Sequence, residues 1–330
     1  MVKGQPAEAK GDTVAVFALV DSGMIAVDHL LTDILTRDDQ FVSELADHLL
    51  RASGKRLRPA LVLLAGQFGT AYSTGVLERV AAGVELIHMA TLIHDDIIDD
   101  AALRRGVASV KHQFGNTVAV LAGDYLFARA FQLFASVPDQ RVMAEAADVV
   151  GVMCAGEIRQ YLDQGRIPSE AAYLRRIEAK TARFLESSCR LGAMAGGVEG
   201  EAVEFLARFG HDIGMAFQIV DDLLDWSTGA ERLGKSVGED IAHGVFTLPI
   251  IYARSVPGMR QEVDDYLSLE GGPPLNAMRG ALERSGALEY ARARAAEYIR
   301  AGRQALAELP PAAARVALEE LAAFVVSRDH

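Results

Sequence analysis

The stretch "VLERVAAGVELIHMATLIHDDIIDDAALRRG" (76–106) decides how the chain is read. Val80, Val84, Ile87 and Thr91 follow one another at four-, three- and four-residue steps, the spacing of one helix face. Four aspartates, Asp95, Asp96, Asp99 and Asp100, then fill six positions, and Arg104 and Arg105 come soon after. The same apolar steps run through 117–136, 139–163, 170–195 and 200–226, and alternating strand patterns of useful length are absent. The expectation is an all-α, single-domain helical bundle over 1–330, deep enough that some helices are apolar on more than one face. Helices are expected at 13–36, 39–52, 57–71, 76–103, 117–136, 139–163, 170–195, 200–227, 240–255, 259–269, 275–305 and 311–327.

Half of the 330 residues are hydrophobic, enough for a large core. Lys plus Arg is 33 against 45 Asp plus Glu, a net charge of −12, which argues against a general nucleic-acid binder. Cys154 and Cys189 form no CxxC pair, and the expectation is two buried thiols. The first twelve residues are polar, should be flexible, and lack the apolar centre of a signal peptide. Charges such as Asp124 and Asp221 break the longest apolar runs, so no transmembrane segment is expected and the protein is placed in the cytoplasm.

If 76–103 is one helix, Asp95 stacks over Asp99 and Asp96 over Asp100. Each like-charge pair costs the helix a few tenths of a kcal/mol. A second cluster, "QIVDDLLDW" (218–226), repeats the device with Asp221, Asp222 and Asp225. A solvated acidic face is the bland explanation, but solvated faces interleave both signs, as 290–303 does. Carboxylates without basic partners in apolar helices are costly unless cations join them. Mg²⁺ takes one or two carboxylates plus substrate phosphates, so two facing clusters would hold several ions around a diphosphate. A calcium-sensor loop fails on spacing, and His88 and His94, six apart, do not make a zinc pair.

Basic residues gather beside these motifs. Lys55, Arg56 and Arg58 lie in "SGKRLRPAL" (53–61), Lys180 and Thr181 in "IEAKTARF", and Lys235 in "RLGKSVGED". Any one alone reads as a surface charge; together, in an acidic protein, they suggest anion binding next to metals.

At this point the sequence resembles a trans-type isoprenyl diphosphate synthase, most like the long-chain bacterial heptaprenyl and octaprenyl enzymes. GKRLRP (54–59), HDDIID (94–99), LRRG (103–106), GDYL (123–126), GE (156–157), KT (180–181), FQIVDDLLD (217–225), GK (234–235) and TLP (247–249) carry the resemblance, in the family's order. It implies an isoprenoid-synthase bundle with a deep central cavity, usually a homodimer, with a hetero-oligomer containing a small regulatory subunit as the alternative. It implies two substrates, isopentenyl diphosphate and an allylic diphosphate, and three Mg²⁺ per site. Carried over by position, Asp95, Asp96 and Asp99 would hold metal on one wall and Asp221 on the other, with Asp222 and Asp225 in support. Lys55, Arg58, His88 and Arg105 would bind isopentenyl diphosphate. Arg104, Lys180, Lys235 and Gln218 would hold the allylic diphosphate, with Thr181 beside its reacting carbon.

Two positions depart from the family pattern. Val245 stands where many members carry Lys, and "VAS" (107–109) replaces the usual Lys-Pro-Thr. Short-chain members place an aromatic ring four or five residues before the first aspartate. Here Ala90 and Thr91 leave the path open. The segment "YLRRIEAKTARFLESSCRLGAMAGG" (173–197) resembles heptaprenyl-type enzymes of quinone biosynthesis, which implies a product of six to eight isoprene units, heptaprenyl first. Phe127, Phe131 and Phe134 are candidate floor residues that would equally serve as core. The alternatives are a geranylgeranyl or farnesyl synthase, the catalytic subunit of a two-component enzyme, a terpene cyclase, which has no use for GKRLRP, and a non-catalytic subunit, which would not keep both acidic clusters.

Overall fold

The computed structural model describes residues 18–36, 56–70, 75–104, 106–226, 241, 244–269 and 275–327. The expected helix 39–52 and the positions Lys55, Arg105 and Lys235, like the first twelve residues, lie outside them. Among the described residues the chain is helical apart from one two-strand hairpin, β1 (Leu103–Arg104) antiparallel to β2 (Val107–Ala108). The helices are α1 (Asp21–Thr36), α2 (Leu57–Gly66), α3 (Val76–Ile98), α4 (Val110–Phe114), α5 (Asn116–Ala135), α6 (Gln140–Leu162) and α7 (Glu170–Ile177). A π-helical turn, Glu178–Ala182, joins α7 to α8 (Arg183–Gly196). Then come α9 (Ala202–Leu224), α10 (Leu248–Ser255), α11 (Arg260–Leu267), α12 (Leu275–Arg284), α13 (Ala287–Ala307) and α14 (Ala313–Ser327).

Helices α3, α8 and α9 form the middle of the bundle. Helix α3 packs on α2 and α5, α8 on α2, α6 and α9, and α9 also on α13. Apolar residues on several faces drive this: Leu77, Val80, Val84, Leu86 and Ile87 of α3 are all fully buried. Helices α2 and α8 meet backbone to backbone. A Cβ on Gly192 would lie 2.2 Å from the Val62 carbonyl oxygen, so only glycine allows that approach.

Several boundaries differ from expectation. Helix α3 stops at Ile98, five residues early. Asp100 adopts φ 54°, in the left-handed region, and the Ala101 N–H reaches back to the Asp96 carbonyl at 3.0 Å. This is a Schellman stop with an aspartate in the usual glycine position. Asp100 therefore does not stack over Asp96; it is exposed and ion-paired with Lys111. Gly244 is a turn and α10 begins only at Leu248. The span 275–305 is broken at Gly286, φ 71°. Cys189 is buried as expected, but Cys154 is exposed. Among the described residues one helix, α5, is long and apolar enough to cross a membrane by length and composition, contrary to the expectation of no such run. It packs along α3 and buries Leu126, Ala130 and Phe134 in the core.

Candidate active site

A cavity of about 810 Å³ opens between α3, α5, α6 and the π turn. Its rim is charged and its body apolar. Asp95 of α3 and Lys180 of the π turn both line it, as does Glu157 of α6, which holds Lys180 at 2.7 Å. Burial pushes the Asp95 carboxyl up to about 6, with the Lys180 ammonium pulling the other way. Burial also works against the Lys180 charge, but Asp95 and Glu157 together lift its pKa above the ordinary value. Asp95 is thus a carboxylate short of positive charge, and a divalent cation would supply it.

The local backbone explains how these groups meet. A Cβ on Gly156 would sit 2.8 Å from the Ala179 Cβ, so glycine lets α6 approach the π turn and set Glu157 beside Lys180. A Cβ on Gly214 would come within 2.5 Å of the Ala182 Cα, so α9 approaches the same turn from another side. There Thr181 donates its hydroxyl to Gln218 Oε1 at 2.7 Å, and Gln218 Nε2 donates to Asp222 Oδ1 at 2.8 Å. The other Asp222 oxygen accepts from the buried Tyr173 hydroxyl at 2.8 Å. A π turn widens the helix by one residue, and such turns gather at functional sites; this one delivers both Lys180 and Thr181 to the cavity.

Also lining the cavity, Arg58 Nη1 lies 3.1 Å from His88 Nε2, and its guanidinium carbon is 4.9 Å from the centre of the Phe184 ring. Arg56, by contrast, is tied into the scaffold through Glu85 at 2.7 Å and Asp28 at 3.2 Å. The hairpin after Asp100 turns Arg104 back onto the buried Asp96, Nη2 to Oδ1 at 2.7 Å. The first acidic cluster therefore has a basic partner, supplied by tertiary folding and not by helix spacing. Ser109 secures the hairpin: its hydroxyl donates to Ala101 O at 2.6 Å and accepts from His112 N as the cap of α4.

Asp99 caps α3 half-buried, with its N–H on Asp95 O at 2.8 Å. Asp221 and Asp225 are half-buried and Asp222 buried, near the end of α9. Among the described residues no three His, Cys, Asp or Glu side chains converge as a ready-made metal cluster. For Mg²⁺ that is compatible, since phosphate oxygens and water complete its shell.

Thr91 lines the cavity, while Ala90 is fully buried and not on its wall. At about 100° per residue, Thr91 lies about 40° round α3 from Asp95 and Ala90 about 140°, which corrects the pairing of the two. Phe127 is on the wall; Phe134 is core, its ring against Gly83. Sequence reasoning assigned no role to Glu157 or Tyr173. The GE pair of 156–157 was a signal for the first; nothing marked the second.

Comparison with known proteins gives one answer. The model of the family described as polyprenyl synthetase matches residues 39–272. The chain is 38% identical over 317 residues to heptaprenyl diphosphate synthase component 2 of Geobacillus stearothermophilus, covering 96% of this chain and 99% of that one. It is 34% identical over 319 residues to octaprenyl diphosphate synthase of Escherichia coli K12, covering 94% and 97%. A polyprenyl synthase from Caulobacter crescentus CB15, solved with calcium and isoprenyl diphosphate, superposes with a TM-score of 0.89 at 35% identity, covering 98% and 100%.

Proposed function

The chain belongs to the polyprenyl synthetase family and is a trans-prenyltransferase, and on that premise we propose that it extends farnesyl diphosphate with isopentenyl diphosphate to an all-trans heptaprenyl diphosphate. The product would serve a quinone side chain, made in the cytoplasm. The observation that carries this reading is the Asp95–Lys180–Glu157 rim set over an apolar cavity.

Asp95, Asp96, Asp99 and Asp221 are the residues to hold Mg²⁺, with Asp222 and Asp225 behind them. Bound there, three ions would neutralise the diphosphate leaving group and ease ionisation of the allylic C–O bond. Lys180, Arg104 and Lys235 add fixed positive charge to that group, and Lys55, Arg58, His88 and Arg105 anchor isopentenyl diphosphate. The Thr181 hydroxyl, held by Gln218, presents a dipole to the allylic cation. Phe127, Phe217 and Ile97 keep water from it. The isopentenyl double bond then attacks, and the departing diphosphate takes the proton. Val245 in place of lysine means a weaker grip on one phosphate, not loss of turnover.

Six of the twelve exposed large apolar side chains among the described residues lie on α5, on α6 or at the end of α3. Leu121, Ile158, Tyr161 and Leu162 are each more than 60% exposed. Such a face calls for a cover, and a second copy of the chain is the proposed one. The "component 2" name of the Geobacillus relative favours a second reading, a catalytic subunit that needs a partner. The test is incubation of purified chain with labelled isopentenyl diphosphate, farnesyl diphosphate and Mg²⁺, alone and with partner candidates. A heptaprenyl product from the chain alone is expected. Elongation only with a partner would establish the two-component form, and no elongation in either arm would sink the reading.

A further inference from the structure

We propose that a second pocket, next to the catalytic cavity and lined in part by Val245, binds a diphosphate-class anion. It has a volume of about 330 Å³ and is lined by Arg159 of α6, Arg166 of the following loop, and Arg175 and Arg176 of α7. Four guanidinium groups around one small pocket are an exception in a chain with 33 basic and 45 acidic residues. Asp163 is the one acid on its wall. The side chains of Arg159, Arg166 and Arg175 make no hydrogen bond or ion pair among the described residues. Arg176 spends one N–H on Phe246 O at 2.8 Å.

The pocket is built, not a chance gap. The Gly165 N–H donates to Gly244 O at 3.0 Å, clasping the loop after α6 to the segment before α10. Gly244 has φ +69° there, and a Cβ would lie 2.8 Å from Gly165 N, so no side chain can stand in its place. Arginine forks match phosphate oxygens two by two, and like charges held together gain most from a multivalent anion. Choosing diphosphate as that anion rests on the reaction proposed above, which releases one per condensation; the arginine pocket itself does not.

The pocket shares a wall with the catalytic cavity. Gly156 and Ala179 line the one; their neighbours Glu157 and Lys180 line the other. Gln160 bridges them, lining the arginine pocket while its Nε2 reaches Glu157 Oε2 at 3.5 Å. An anion that draws Gln160 away changes what holds Glu157 against Lys180. Bound diphosphate should therefore slow turnover in a way that allylic substrate does not relieve.

Calorimetric titration of full-length Arg58→Gln with inorganic diphosphate in EDTA isolates this site, since EDTA removes the metal-dependent grip on the allylic diphosphate and the substitution weakens the metal-free isopentenyl diphosphate site. One site per chain is expected, weakening with salt and at least tenfold weaker in Arg159→Gln/Arg175→Gln. Both side chains are exposed, so the circular dichroism, the melting temperature and the initial rate without added diphosphate should be unchanged. Arg166→Gln is the second variant if the pair fails to fold. A parallel titration with farnesyl thiodiphosphate separates the sources: equal affinity makes free diphosphate the occupant, tenfold tighter binding makes it an isoprenyl diphosphate. Affinity unchanged in the variants overturns the site. So does arginine-dependent binding to phosphatidylglycerol vesicles without diphosphate binding, which would make the patch a membrane contact. The elongation assay stands apart, so a chain that binds diphosphate here and elongates nothing defeats the function and leaves the site.

Discussion

Tyr173 has no exposed surface, and its hydroxyl is the second donor on Asp222. Through that carboxylate it fixes Gln218, and through Gln218 it fixes Thr181. Replacing Tyr173 with Phe removes this buried hydrogen bond to a carboxylate, at a cost of about 1–3 kcal/mol. Gln218 then loses its orientation. We expect Tyr173→Phe to lower kcat about tenfold with little change in KM for isopentenyl diphosphate, and to lower the melting temperature by a few degrees. A fall in melting temperature with kcat unchanged would make the tyrosine purely structural. Asp222 stood out as a member of the second acidic cluster, and Gln218 came with the family resemblance. Tyr173 was not legible, since 49 positions separate it from its partner and one tyrosine in a helix looks like any other. Asp100 shows the opposite error: spacing suggested a stacked acid, and one left-handed backbone angle sent it elsewhere.

Most helices were legible from apolar periodicity, and the misses share a cause. Periodicity marks which face is buried and says little about where a turn of backbone stops. Hence 76–103 ran past Asp100, and 275–305 ran through Gly286. The span 170–195 was correctly helical, yet its π turn was invisible, because one extra residue barely disturbs the apolar pattern. The rotation of α3 matters for product length. Thr91 is about 6 Å deeper along the axis than Asp95, on the cavity wall. Thr91→Phe should cut the product by several isoprene units while the first condensation keeps its rate, with chain length read by chromatography. Ala90→Phe instead forces a ring into filled core, costing about 1–3 kcal/mol through overpacking. Unaltered product from Thr91→Phe would reject this wall.

At the scale of the molecule, the all-α architecture followed from composition and spacing, and both acidic clusters were found from sequence alone. The pairing of Arg104 with Asp96, and of Glu157 with Lys180, needed the fold, because each crosses between elements. The exposed apolar face on α5 and α6 was equally hidden, since a helix buried against its own chain and one awaiting a partner have the same periodicity. If a second copy covers that face, Leu121→Asp should convert a dimer to a monomer in sedimentation velocity, with the helical content of the chain unchanged. A dimer that survives would move the interface elsewhere. Ile158, Tyr161 and Leu162 belong at once to this face and to the cavity wall. The vessel in which the chain grows is then closed by the neighbour. Dilution below the association threshold opens its side, and the spread of product lengths becomes a record of how concentrated the protein was when it worked.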